Sequence, residues 1–275
     1  MDPVIFNLIN LCGVSLLFLL ETRSQVFRRV WSDRRRMRRN LAFLATSGSV
    51  GFILHFSMST LRGVLPKLDW HGPLWLQLCG VFALAELFNW ALHWAKHNNA
   101  FLWRLHCQHH RDDQYTIWLT THTYAPEVLI SGTFMGSALM MCGFGAFALD
   151  TYLLFYSLVN LYQHSARAYS LGPLDKLIIS PAYHRYHHGG AQANFGSTLS
   201  LWDWVFGTVI WPKDRHVAIN PPPIEHSAEP FGFAAEMAYP FRPSRWVETR
   251  PPELDFQAGV ISSPDAASNP THSGA

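Results

Sequence analysis

Residues 106–110 read HCQHH and residues 184–188 read HRYHH. On a helix, positions i, i+3 and i+4 share one face, so each stretch aims three imidazoles the same way. Residues 93–97, HWAKH, repeat the i, i+4 part of the pattern, and NLYQH at 160–164 supplies one more histidine. Ser180-Pro181 before the last group reads as a helix N-cap followed by proline in the first turn, which starts a new helix under His184. Nine histidines on four segments exceed the four or so donors of a single zinc ion, and two metals with four or five imidazoles each account for them. Imidazole suits iron, zinc, copper and nickel. Carboxylates or carbonyls must orient the rings, and Asp112, Asp113, Asp175 and Asp203 are the nearby acids.

The rest of the chain is membrane-like. Charged residues make up 15% of the sequence and hydrophobic ones 49%, where ordinary soluble domains carry about 25% charged. The apolar residues clump into runs at 4–20, about 41–65, 73–92, 126–146 and 147–163. Most are long enough for the roughly 20 residues a bilayer-spanning helix needs. The glycines and Asp150 in MCGFGAFALD (141–150) suggest a tight turn between the last two. The expected fold is all-α: a multi-pass bundle of about five spans with a cytoplasmic helical cap that carries the histidine-rich dimetal site.

Orientation comes from RSQVFRRVWSDRRRMRRN (23–40), with eight arginines and one acid directly after the first run. Positive loops stay cytoplasmic, so the N-terminus is expected outside and the first run is an uncleaved anchor. Between two spans this cluster serves topology and anionic headgroups, not nucleic acid. Counting crossings from there brings every histidine group, and the C-terminus, to the cytoplasmic face. The expected organisation is N-terminal spans with an Arg-rich cytoplasmic loop over 1–70, a histidine-box domain over 71–220, and a proline-rich cytoplasmic tail over 221–275, disordered after about 250.

The remaining signals are weaker. Cys12, Cys79, Cys107 and Cys142 have no metal or redox spacing; three sit in apolar runs, and Cys107 shares a helix with the second histidine group. His55, His71, His216, His226 and His272 read as ordinary structural histidines, while His122 in TTHTYAPE is close enough to the second group to enter the site. LWDWVFGTVIW (201–211) either roofs the site or lies in the membrane interface. No internal repeat, glycine-rich phosphate loop or Ser/His/Asp pattern is present.

The boxes HWAKH, HCQHH, YQH and HRYHH stand in the order found in the fatty acid hydroxylase / sterol desaturase superfamily. LGPLDKLIISPAYHRYHH and NFGSTLSLWDWVFGT (194–208) are also similar to that family, and the resemblance covers roughly 75–212. It implies an integral membrane oxidoreductase in which two irons activate O2 at an unactivated C–H bond of a lipid: fatty acyl, sterol-like or another isoprenoid. Zinc can replace iron in purified protein. The implied ligands are His93, His97, His106, His109, His110, His164, His184, His187 and His188, with His122, Asn160 and Asp203 as possible additional or supporting residues. Many relatives carry a histidine where this chain has Ala125, some have one at the place of Asn160, and relatives often have asparagine at the place of Ala166. Electrons must come from a ferredoxin or a cytochrome with its reductase, because the sequence holds no cofactor motif of its own. Hydroxylation is favoured; the alternatives are a sterol or acyl-lipid desaturase and, more remotely, a non-enzymatic metal-binding or transport protein. Transport sites sit near the midplane on broken helices, whereas these boxes sit at helix ends.

Overall fold

The computed structural model describes residues 2–61, 64, 66–68, 72–112, 114–169, 171–211 and 233–241. These residues are mostly helical. The long helices are α1 (Pro3–Glu21), α3 (Arg34–Leu61), α4 (Leu74–Asn98), α6 (Ala125–Met141) and α7 (Ala146–Gln163), with the short α2 (Gln25–Ser32), α5 (Ala100–His110), α8 (Pro181–His188), α9 (Leu201–Phe206) and α10 (Phe233–Ala238) between and after them. Strand-like pairing is limited, among the described residues, to an isolated bridge between Ile178 and Leu199.

α1, α3 and α4 are long and apolar enough to cross a membrane. α6 and α7 have 17 and 18 residues and are joined by the expected tight turn. It covers residues 142–145 with Gly143 at φ +73°, a conformation that a side chain disfavours. Asp150 lies inside α7, not in the turn. Large apolar side chains on the outside of α1 and α3, such as Leu11 and Phe52, are exposed. An outward apolar surface of this kind suits lipid as the solvent.

Two segments outside the long apolar runs also shape the fold. The arginine stretch is not a loop: it forms α2 and the first turns of α3. Ser24 caps α2 by accepting from the Phe27 amide, and Phe27 and Val30 on its inner face are buried against Phe18 and Trp118. Apolar residues three apart give α2 a buried side, which leaves the arginines facing out. The tail expected from residue 221 also contributes to the fold. Phe233 packs on Phe43 with ring centroids 5.2 Å apart, and Gln108 donates to Glu236 at 2.6 Å. The segments expected to be disordered lie outside the described residues.

Three local devices bring the histidine groups together. Asn99 has extended backbone, and its side chain accepts from the amides of Phe101 and Leu102. This one-residue break ends α4 and starts α5, folding HCQHH back over HWAKH. Ser180 caps α8 through the Tyr183 amide with Pro181 in the first turn, as the sequence implied. Glu86, buried in the middle of α4, ties down the loop between α8 and α9. It accepts from the amides of Thr198 and Leu199, both at 2.9 Å, from the Thr198 hydroxyl at 2.6 Å and from the Tyr152 hydroxyl at 2.8 Å.

Candidate metal centre

The nine box histidines converge at one end of the bundle and separate into two groups. His93, His97, His106, His110 and His187 form one; His109, His164, His184 and His188 form the other. Within each group the ring nitrogens lie within 4.8 Å of one another. The division cuts across the boxes. HCQHH gives His106 and His110 to the five-membered group and His109 to the other, while HRYHH gives His184 and His188 to the four-membered group and His187 to the other. Residues i and i+4 lie nearly above one another on a helix, whereas i+3 is rotated to the side. A single box therefore reaches two neighbouring points.

Hydrogen bonds set the ring tautomers. The Nδ1 atoms of His93, His109, His164 and His187 donate to the carbonyls of Phe195, Leu119, Asn160 and Ala193 at 2.7–3.1 Å. His106 Nδ1 donates to Glu127 Oε1 at 2.8 Å. Those five rings carry their proton on Nδ1, so each Nε2 bears a bare lone pair. Yet the Nε2 atoms of His93 and His106 face each other at 3.1 Å, and those of His109 and His164 at 3.2 Å. Lone pairs so arranged repel. His187 Nε2 and both ring nitrogens of His97 are buried with no hydrogen-bond partner. A cation in each group satisfies the facing Nε2 atoms and one of the two His97 nitrogens at once, so the donor set fits two metal ions.

The electrostatics favour the ligating form. Burial pushes His109, His110, His184 and His188 well below the ordinary imidazole range. It brings His187 down to about 3. These rings are neutral near pH 7, and neutral imidazole is what a metal binds.

An apolar cavity of about 470 Å³ opens onto this centre. His93, His106, His109, His164 and His184 border it at one end, and Leu92, Met135, Leu139, Leu149 and Leu153 line its walls. Its wall follows α6 from Glu127 to Met140, roughly 20 Å of helix at 1.5 Å per residue.

The fatty acid hydroxylase family model matches residues 78–208, the stretch that holds all nine histidines. An alkylglycerol monooxygenase of Xenopus tropicalis is 27% identical over 157 residues, covering 55% of this chain and 34% of that protein. An ornithine lipid hydroxylase of Rhizobium tropici is 25% identical over 259 residues, covering 86% of this chain and 75% of its own length. A methylsterol monooxygenase of Arabidopsis thaliana is 26% identical over 137 residues, with 48% and 47% covered. Over residues 78–208 the chain is similar to the fatty acid hydroxylase / sterol desaturase superfamily. It spans about a third of the length of the alkylglycerol monooxygenases it matches. No solved structure matches it.

Other residues singled out in the sequence take different places around this hydroxylase-family centre. His122 is fully buried but belongs to neither histidine group; its Nε2 lies 2.9 Å from Asn40 Oδ1 and its Nδ1 3.4 Å from Asp112. Replacing His122 by alanine is therefore expected to leave the metal content intact. It should destabilise the fold by about 1–3 kcal/mol because Asn40 Oδ1 loses its His122 partner, read as a lower thermal midpoint with unchanged metal analysis. Asn160 borders the cavity, and its backbone carbonyl orients His164. Asp203 is fully buried. It accepts from Trp90 Nε1, the Tyr183 and Thr208 hydroxyls, and the amides of Phe195 and Gly196. It thereby holds the Phe195 carbonyl that orients His93. A Cβ at Gly196 would lie 2.5 Å from the Leu199 carbonyl and 2.8 Å from the Asp203 carboxylate, so only glycine fits this approach.

Asp112 pairs with Arg36 and Arg39 on the far side of α5. Asp175 caps a turn at Leu171, away from the centre, and Asp113 lies outside the described residues. Cys107 packs with Trp103 and Tyr124 and belongs to neither group. The aromatic run of 201–211 does not roof the site. Phe206 stacks on Trp90 at 4.1 Å, and Trp204 and Val205 are exposed, which suits the interfacial reading.

Sequence reasoning missed Glu127 and Lys96. Glu127 is buried, and Lys96 Nζ lies 2.7 Å from the same Oε1 that accepts from His106. The signal was present, since Glu127 is the acid opening an apolar run two residues after Ala125. Replacing Glu127 by alanine frees the His106 ring and is expected to weaken metal binding about 10–100-fold, measured by chelator competition.

Proposed function

We propose that this protein is a membrane-bound, O2-dependent di-iron oxygenase that hydroxylates an unactivated C–H bond of a lipid. The observation that carries this reading is the position of the two histidine groups, beside an apolar cavity of about 470 Å³. The five- and four-histidine groups would hold the two ions, and iron bound there supplies the oxidising power for C–H activation. The protein's own residues do the rest. The backbone carbonyls of Phe195, Leu119, Asn160 and Ala193, with Glu127, hold the rings in one tautomer. The apolar walls of α4, α6 and α7 align the substrate chain and keep water from the reacting carbon. The lipid substrate enters from the bilayer, and the electrons come from a separate redox protein.

The names of the relatives, which act on alkylglycerols, ornithine lipids and methylsterols, favour hydroxylation. The arginines of α2 and α3 support a cytoplasmic position for the histidines and the C-terminus, with the N-terminus outside. Reporter tags at the two termini test this orientation. The reaction is tested by lipid analysis of a host with and without the gene. A lipid heavier by one oxygen atom supports hydroxylation, and loss of two hydrogens would make the protein a desaturase. An unchanged lipid profile, with full metal content, would sink the proposal.

A further inference from the structure

Arg23, Arg28, Arg29, Arg34, Arg35 and Arg38 are all exposed, on α2 and just beyond its two ends. Over 23–40 the only acid is Asp33, whose carboxylate is engaged by the amides of Arg35 and Arg36. The result is a strongly positive ridge. Trp31 stands within it, 53% exposed. Its ring stacks on Trp118, with centroids 6.4 Å apart and planes 26° from parallel. Trp118 is buried, and the carbonyl of the next residue, Leu119, accepts from His109 Nδ1 at 3.1 Å. Two stacked indoles and one hydrogen bond therefore connect an exposed point on the ridge to the four-histidine group.

We propose that this ridge is the docking surface of a small acidic iron–sulfur protein of the ferredoxin class, which delivers electrons through Trp31 and Trp118 toward His109. The inference rests on the oxygenase reading above. Inserting one oxygen atom into a C–H bond and reducing the other to water consumes two electrons and two protons that the substrate does not provide. The sequence holds no flavin, haem or cluster motif to store them, so a one-electron carrier must deliver two in turn. Charge complementarity selects the carrier's surface: an arginine ridge attracts and orients an acidic protein and speeds its encounter. Arginine and tryptophan also suit a lipid interface. A headgroup anchor, however, needs only the outer indole, whereas here the outer indole is stacked on an inner one that adjoins a candidate ligand's hydrogen bond.

The test uses the full chain in phosphatidylcholine nanodiscs with a plant-type [2Fe–2S] ferredoxin. Wild type is expected to bind it saturably and to lose affinity steeply with added salt. The double variant Arg28→Glu/Arg29→Glu, whose side chains face out, is expected to raise Kd at least about tenfold. With iron-loaded protein, the double variant should slow oxidation of reduced ferredoxin in proportion, while photoreduced deazaflavin, a small neutral reductant, reduces both proteins equally. Trp31→Leu should bind ferredoxin normally and transfer electrons severalfold more slowly at saturation. Salt-insensitive or absent binding by wild type, or full binding by the double variant, overturns the proposal. So does a double variant that loses only its affinity for phosphatidylglycerol vesicles, which would assign the arginines to headgroups. If deazaflavin cannot reduce the iron-loaded wild type, the oxygenase reading itself fails and takes this proposal with it. A docking failure alone leaves that reduction intact.

Discussion

Replacing His109 by alanine is expected to abolish lipid oxidation and to lower bound metal from about two ions per chain to about one, given the ligand numbers metals require. His109 belongs to the four-membered group, and its loss leaves three imidazoles there. His187 belongs to the five-membered group, where His187→Ala still leaves four donors. Activity should be lost in both variants, but His187→Ala should retain more metal than His109→Ala. Metal analysis of both purified proteins, grown in iron-sufficient medium, checks this asymmetry. Equal metal loss in both would contradict the five-and-four division, and full metal with full activity in His109→Ala would refute the metal centre altogether. Stripping wild type with a chelator should lower its thermal midpoint, because ligands from α4, α5, α7 and α8 meet only in the folded chain.

The second large effect is expected at Glu86. Its carboxylate receives four hydrogen bonds, three of them from Thr198 and Leu199 in the loop that follows α8. Alanine there leaves two buried amides and two hydroxyls without an acceptor. Each unpaired buried group costs about 1–3 kcal/mol, so Glu86→Ala should destabilise the protein by several kcal/mol. The same loop carries Phe195, whose carbonyl orients His93. Metal binding should therefore weaken although Glu86 touches no histidine. A thermal scan paired with metal analysis reads both effects. A stable variant with normal metal content would show that the loop is held by Asp203 and the Ile178–Leu199 bridge alone.

Much of this protein could be read from residue order. Helical periodicity explains why HWAKH, HCQHH and HRYHH each present a common face, and Ser180-Pro181 marks the start of α8 by itself. Run length and low charge predict apolar helices, and Cys107 reads correctly as a helix neighbour. The resemblance to the fatty acid hydroxylase family was legible for the same reason: metal ligation demands particular residue types at particular spacings, and such a pattern survives as a local signal.

Local signals could not say how the nine histidines divide. That depends on where α4, α5, α7 and α8 meet, and the i+3 member of each HxxHH box crosses to the other group only because a neighbouring helix presents its rings there. Nor could they rank the acids. Glu127 and Asp203 are distant in sequence from the histidines they support, His106 directly and His93 through the Phe195 carbonyl, while Asp112, two residues after the second box, turns away to Arg36 and Arg39. His122 lies as near in sequence as a ligand should, but the 3-10 turn at Ile117–Thr121 carries it to Asn40 on α3. Spacing along one helix determines which side chains share a face; only the packing of several helices decides what that face meets.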